Sequence, residues 1–270
     1  MLGVLRLPLK GSQLLARPDR ERLRCYASDS REYRNAFRSF LSRTDQKKTL
    51  VRALARHIAR LPQRRVFLDV GAGNGILTHV LAPSFERTFA IEPNPFFQTD
   101  LSTSPLRLTV LPHPVLSCQE LPIADLILCS HVLHYVDPSK WLEIAEKLLG
   151  RLSTSGLLAI VLQKRGSACM NLLDRFAGKR PFLDDLLVQL RDRHAHGIEL
   201  RLETVPSVIQ AGSLEETLGL TEFLLNVAHV REMPSKASVI DYIAENLVPC
   251  PEKGYSLSCD QDLLLIRRQS

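Results

Sequence analysis

The chain is 270 residues long, 45% hydrophobic and 24% charged, proportions that suit a globular protein burying a real core in one large domain or two small ones. It has no apolar run of the roughly 18 residues needed to cross a bilayer. Its six cysteines (Cys25, Cys118, Cys129, Cys169, Cys250, Cys259) form neither a CxxC pair nor a Cys/His cluster, which argues against structural zinc and for reduced thiols inside the cell. The formal charge of +6 sits largely in the first sixty residues; an excess this small is expected first on solvated helix faces, and only then in a nucleic-acid contact.

The opening "MLGVLRLPLKGSQLLARP" contains Arg6, Lys10 and Arg17 and no acid. That suits either a frayed arm or, in a eukaryote, an organellar transit segment, so the expected location is cytoplasmic with a mitochondrial alternative. Pro8, Gly11 and Pro18 oppose a long helix, and residues 1–28 are expected outside the fold. In "REYRNAFRSFL", Tyr33, Phe37, Phe40 and Leu41 share a helical face. "SRTD" is a polar turn whose Asp45 is placed to cap the next helix. That helix, "QKKTLVRALARHIARL", lines up Leu50, Leu54, Ile58 and Leu61 and stops at Pro62. Residues 29–62 are thus expected as a helical lid.

Strands and helices then alternate. "RVFLDV", "TFAIEP", "LRLTVL", "ADLILCSHVL" and "GLLAIVLQ" read as strands one to five, most of them separated by helical stretches. Apolar runs without clear alternation predict a mostly parallel sheet of doubly wound α/β type, with helices on both faces, over a core of residues 63–165. Helices are expected near 167–177, 181–193, 213–228 and 236–247. "IELRLETVPSVI" reads as a strand, and "GYSLSCDQDLLLIRR" as one strand with a hairpin alternative. Residues 166–270 would supply a substrate cap and complete a seven-stranded sheet.

The chemistry centres on "LDVGAGNG". Gly71, Gly73 and Gly75 make G-x-G-x-G, with Ile76 where a dinucleotide fingerprint puts its third glycine, and the Lys-Ser/Thr of a phosphate loop is missing. The loop lets backbone lie against a ligand without being built for phosphate. Glu92, at the next strand tip, is placed to accept from both hydroxyls of a ribose. Asp69 is placed to orient the loop or meet a cation. A nucleoside without a pyrophosphate fits this pocket, and S-adenosylmethionine is such a molecule. The expected cofactor contacts are Asp69, Gly71, Ala72, Gly73, Gly75, Glu92 and Pro93, with Ser117 after the third strand and Ser130 and His131 after the fourth.

On these motifs residues 65–163 resemble the class I S-adenosylmethionine-dependent methyltransferases. The resemblance implies transfer of a methyl group, with the acceptor beyond the carboxyl end of the fourth strand. There the chain reads "LCSHVLHYVDPSKW", without the Asn/Asp-Pro-Pro-aromatic motif of the amide-targeting enzymes; "HVLHYV" is similar to the small-molecule branch. His131 is the candidate to hold the acceptor or take its proton, or else to bond backbone alone. His134 and Tyr135 are expected in the wall. More distantly, "YRNAFRSFLSRTDQKK", "DLILCSHVLHYV", "GSACMNLLDRFAGKRPFLDD" and "CDQDLLLI" resemble segments of histamine N-methyltransferase and its bacterial relatives. That resemblance implies acceptor contacts at Asp45, His131 and Gln261 and an amine nitrogen as nucleophile, although His131 stands where that family has an amide. The alternatives are an RNA or protein methyltransferase using the arginine-rich start, and a binding protein that has lost turnover.

Overall fold

The computed structural model describes residues 21–228, 230–249 and 254–269. Helices α1 (Arg31–Arg43) and α2 (Gln46–Ile58) precede an alternation of β1 (Val66–Val70), α3 (Ile76–Leu81), β2 (Arg87–Ile91), α4 (Pro95–Ser102), β3 (Leu108–Leu111), β4 (Ala124–Ser130), α5 (Trp141–Leu149) and β5 (Leu152–Gln163). Then come α6 (Ala168–Ala177), α7 (Leu183–Arg193), β6 (Ile198–Val205), β7 (Val208–Ala211), α8 (Leu214–Val227), α9 (Lys236–Asn246), β8 (Val248–Pro249), β9 (Tyr255–Ser258) and β10 (Gln261–Arg268).

The large sheet has seven strands in the order β3-β2-β1-β4-β5-β10-β6. The first five run parallel, and β10 is antiparallel to both its neighbours. Period-two geometry splits the strand residues between two layers. Leu68, Val70, Ile127, Cys129, Leu158 and Ile160 pack with α5 and α7. Phe67, Leu126, Leu128, Leu157 and Ala159 pack with the α2 stripe of Leu50, Leu54 and Ile58. Because β1 and β4 are neighbours while β2 and β5 lie on opposite sides of them, a crevice opens at their carboxyl ends.

The two early helices divide their work. Helix α2 belongs to the sheet's own core, whereas α1 lies over α8, with Tyr33, Phe37 and Phe40 around Phe223. The lid and the C-terminal cap therefore share one hydrophobic core.

Several expectations are corrected. "IELRLETVPSVI" is two strands, not one. Pro206 lacks the N–H a ladder needs, so β6 stays in the large sheet and β7 joins a three-stranded sheet of order β7-β9-β8. Strands β9 and β10 belong to different sheets and form no hairpin. Of the extension expected over residues 1–28, residues 1–20 lie outside those described. Residues 21–28 run along the cap: the Leu23 N–H donates to Pro234 O, Arg24 pairs with Glu222, and the Tyr26 N–H donates to Asn226 Oδ1. Asp45 occupies the cap position of α2 without capping it; its Oδ1 instead accepts from the Val208 N–H at 2.8 Å.

Candidate active site

Strand β1 ends with Asp69 buried, its Oδ2 accepting from the Thr78 hydroxyl at 2.6 Å. The chain then turns through Gly71 (φ 69°) and Gly73 (φ 58°), both in the left-handed region that favours glycine. The N–H groups of Gly71 and Ala72 donate to Ile91 O and lock the loop to β2. A Cβ on Gly71 would stand 2.3 Å from Val132 Cγ2; one on Gly73 would meet only Phe37 of the lid, at 4.0 Å. The Gly73 backbone thus borders open space beneath α1. Gly75 is pressed against His79 and Leu101 and serves packing.

Glu92 is buried at the tip of β2. Its Oε2 accepts from the Gly73 N–H at 2.7 Å and its Oε1 from the Asn94 N–H at 2.8 Å. Burial raises the pKa of this carboxyl, opposed by the two backbone donors. Each oxygen keeps a lone pair for a further donor. Pro93 is exposed and gives the chain its exit from the strand.

Opposite Asp69 stands Lys47, from the first turn of α2. Burial lowers its pKa to about 8, against the pull of Asp69. Burial raises Asp69 to about 6. Lys47 has no hydrogen bond or ion pair among the described residues. A signal for it was present in the sequence: Lys47 and Lys48 open a helix with no acid in its first turn, where the helix dipole disfavours cations.

After β4 the backbone breaks at His131, φ 60°, a non-glycine residue in the left-handed region. Its N–H still donates to Val161 O. The Ser130 hydroxyl beside it is buried without a partner. The imidazole sits between two amides. Gln261 is fully buried, and its Nε2 donates to Gln46 O and the Ser207 hydroxyl, which turns its Oε1 to His131 Nε2 at 3.0 Å. His131 Nε2 therefore carries the proton. The pKa of His131 is pressed down to about 3, by burial first and then by Lys47 and His134, so the ring is neutral and Nδ1 bears a lone pair. The Gln163 amide lies 3.3 Å from Nδ1 and also touches His134 Nε2. The atom facing both rings is Oε1, and a lone pair on Nδ1 requires the amide's O and N to be exchanged so that its NH2 donates there.

The predicted residues thus divide. Asp69, Gly71, Ala72, Gly73, Glu92, Ser130 and His131 gather at the carboxyl ends of β1, β2 and β4. Gln261 is tied inward to α2 and Ser207, and Asp45 is tied to β7 through Oδ1, which leaves its Oδ2 without a hydrogen bond among the described residues. Ser117 is exposed on a 3-10 turn, its N–H donating to Pro114 O, and its side chain makes no hydrogen bond among the described residues. Sequence reasoning missed Lys47 and Gln163, and took Tyr33 for core alone. The Tyr33 hydroxyl in fact bonds that of Tyr135, within electrostatic reach of Glu92.

A cavity of 850 Å³ opens on the other side of His134 and Tyr135, floored by Leu162 and Gln163 and walled by Trp141, Phe176 and Phe182. Among the described residues no group of three His, Cys, Asp or Glu is placed to hold a metal ion, and no helix is long and apolar enough to cross a membrane.

Comparisons agree with this geometry. The family model described as a methyltransferase domain matches residues 41–223. A search of curated proteins finds no match. Among solved structures the chain is similar to the YcgJ protein of Bacillus subtilis (TM-score 0.56, 12% identity, covering 81% of this chain and 99% of that one). It is also similar to a putative methyltransferase of Bacillus halodurans (0.55, 15%, 81% and 98%) and to the plantazolicin methyltransferase BpumL bound to SAH (0.52, 15%, 90% and 90%). The chain belongs to the class I S-adenosylmethionine-dependent methyltransferases. The residues present fit that cofactor: a buried carboxylate for a sugar diol, an open glycine backbone, and an acid and a lysine for the two charges of an amino-acid end.

Proposed function

We propose that this enzyme methylates a small molecule bound in the cavity beside His134 and Tyr135, at a nitrogen that arrives unprotonated. The cavity is the observation that carries the reading: it adjoins the crevice at the carboxyl ends of β4 and β5 and has the size of a metabolite site. In this reading Glu92 accepts from the ribose hydroxyls, Asp69 faces the cofactor's ammonium and Lys47 its carboxylate. The bound cofactor supplies an already activated methyl group, so the protein's task is alignment and exclusion of water. Tyr33 and Phe37 close the site from α1. His131 and His134 are neutral, and both are joined to Gln163, which makes them hydrogen-bonding walls and poor bases near neutrality. The nucleophile must therefore carry its own free lone pair, as a weakly basic amine does.

The RNA alternative is disfavoured by how the early arginines are used. Arg22, Arg24, Arg34, Arg43 and Arg56 are paired with Glu232, Glu222, Asp100, Glu216 and Glu203, which removes much of the apparent basic excess. Incubation with labelled S-adenosylmethionine and a cell extract separated into metabolite, RNA and protein fractions tests the proposal. Label is expected in the metabolite fraction; label confined to RNA or protein defeats it, and cofactor binding without any label would favour a non-catalytic protein.

A further inference from the structure

The metabolite cavity has a charge that its own residues leave uncommitted. Arg180 stands in its wall on the connection between α6 and α7. The side chain is half-buried, its Nε is buried without a hydrogen-bond partner, and the guanidinium makes no ion pair among the described residues. It lines the same cavity as His134, whose protonation its charge disfavours. Asp174 is the acid nearest in effect, and it is not engaged: its Oδ1 is likewise buried and unbonded.

The remaining charges of the lining do not cancel this one. Lys179 and Arg231 add two further cations at the exposed rim. Glu232 pairs with Arg22 at 2.8 Å. Asp137 holds the Ser139 N–H at 2.8 Å and lies in solvent. The rest of the wall is apolar or neutral, with Leu133, Val136, Trp141, Leu162 and Phe182 among it. A guanidinium kept partly out of water, with an idle N–H, is an expensive arrangement unless an acceptor completes it. Its planar fork matches a carboxylate.

We infer that the methyl acceptor carries an anionic group, a carboxylate by preference, which docks on Arg180 and sets which end of the molecule faces the crevice. This rests on the small-molecule reading above and narrows it. The acceptor is then a compact amino acid-like or aromatic molecule, one end anionic and the other a weakly basic nitrogen. Recognition at Arg180 acts on binding and orientation and leaves the cofactor's own contacts untouched.

Trp141, the one tryptophan of the chain, lines the cavity and reports on it. Benzoate and benzamide, equal in shape and different in charge, are titrated into the cofactor-loaded protein while its fluorescence is read. Benzoate is expected to bind about tenfold or more tightly than benzamide, a preference lost in Arg180→Met and partly kept in Arg180→Lys. Benzamide affinity and cofactor affinity should not move in either variant, which also certifies their folding. Equal binding of acid and amide, or an unchanged preference in Arg180→Met, overturns the anion site. A second arm separates this from the parent reading. Extract metabolites are divided by ion exchange into anionic, neutral and cationic pools and offered with labelled cofactor. Label in the anionic pool supports the inference, and label only in the other pools overturns it while leaving small-molecule methylation standing. If no pool is labelled although benzoate shows its preference, the parent reading falls and the inference about the acceptor falls with it.

Discussion

Lys47 and Glu92 show how single side chains set the affinity of this site. Both are kept largely from water, where an ionised group is costly unless a ligand completes it. If Lys47 binds the cofactor's carboxylate as proposed, only the ammonium form serves, and that form is lost as pH rises through about 8. Cofactor affinity of the wild type should therefore decline between pH 7 and 9. Lys47→Met should bind about tenfold more weakly at pH 7 and decline less steeply over the same range, keeping only the loss from the cofactor's own α-amino group, as charge-assisted bonds of about 1.5–3 kcal/mol imply. Calorimetry at three pH values decides, and parallel profiles would remove Lys47 from the site. For Glu92, the isosteric Gln keeps one acceptor for the loop and gives up the charge. A loss of about 10- to 100-fold in cofactor affinity is expected, with a modest fall in Tm from the one backbone N–H that the new NH2 leaves unbonded. Retained affinity would show that position 92 does not hold the ribose.

Much of this was legible in the residues themselves, because a glycine at each left-handed position and an acid at a strand tip are local requirements that local sequence must meet. Gln163 and Arg180 were not legible, and Lys47 left only the weak signal of a helix opened by cations. Their roles come from burial and from neighbours that no short motif contains, as with the bond from Gln261 to Gln46, 215 residues away, that fixes the tautomer of His131. Asp45 failed as a cap for the same reason, since the donor it bonds, Val208, lies 163 residues along the chain.

Among elements, the β1–α3 turn and the segment after β4 are one mechanical unit. The Gly71 position faces Val132, and His131 takes a left-handed conformation immediately before it. Such a conformation costs of order 1–3 kcal/mol away from glycine. Gly71→Ala meets two penalties, the positive φ and the collision with Val132 Cγ2. A destabilisation of about 2–4 kcal/mol is expected in denaturant unfolding. Adding Val132→Ala removes the colliding methyl and should recover part of that loss beyond additivity, leaving the backbone term. Strict additivity would mean that the two elements do not press on each other. The first five strands could be read ahead because each carries an apolar run, the first three closed by Gly71, Pro93 and Pro112. The later third could not be read so well: Pro206 divides what looks like one strand, and its halves pair with different distant partners, β6 with β10 and β7 with β9.

At the scale of the molecule, the buried ionisable groups make stability depend on pH with opposing signs. His131 and His134 are lowered from 6.5 to about 3 and about 4, chiefly by burial. Their unfolded forms take up protons first, so the stability they contribute is full above pH 6.5 and is lost as pH falls toward 4. Asp69 is raised from 3.8 to about 6, so its contribution is full below 3.8 and disappears as pH rises through 6. Acidification from 6.5 to 4 therefore sets two histidines losing about 1.4 kcal/mol per pH unit each against one carboxylate returning a similar amount over a narrower window. Glu92 and Asp262 are raised by burial as well and side with Asp69, so the share of the histidines is isolated by removing them. The histidine contribution alone is expected to lower Tm steadily below pH 6.5, well above the range where ordinary carboxylates titrate. A His131→Asn/His134→Gln variant, with Asn chosen because it tolerates the left-handed backbone, should start from a lower Tm and show a much shallower decline from pH 6.5 to 4.5. Equal slopes for variant and wild type would mean that both imidazoles titrate normally in the folded protein, and the neutral network around Gln163 would then have to be abandoned.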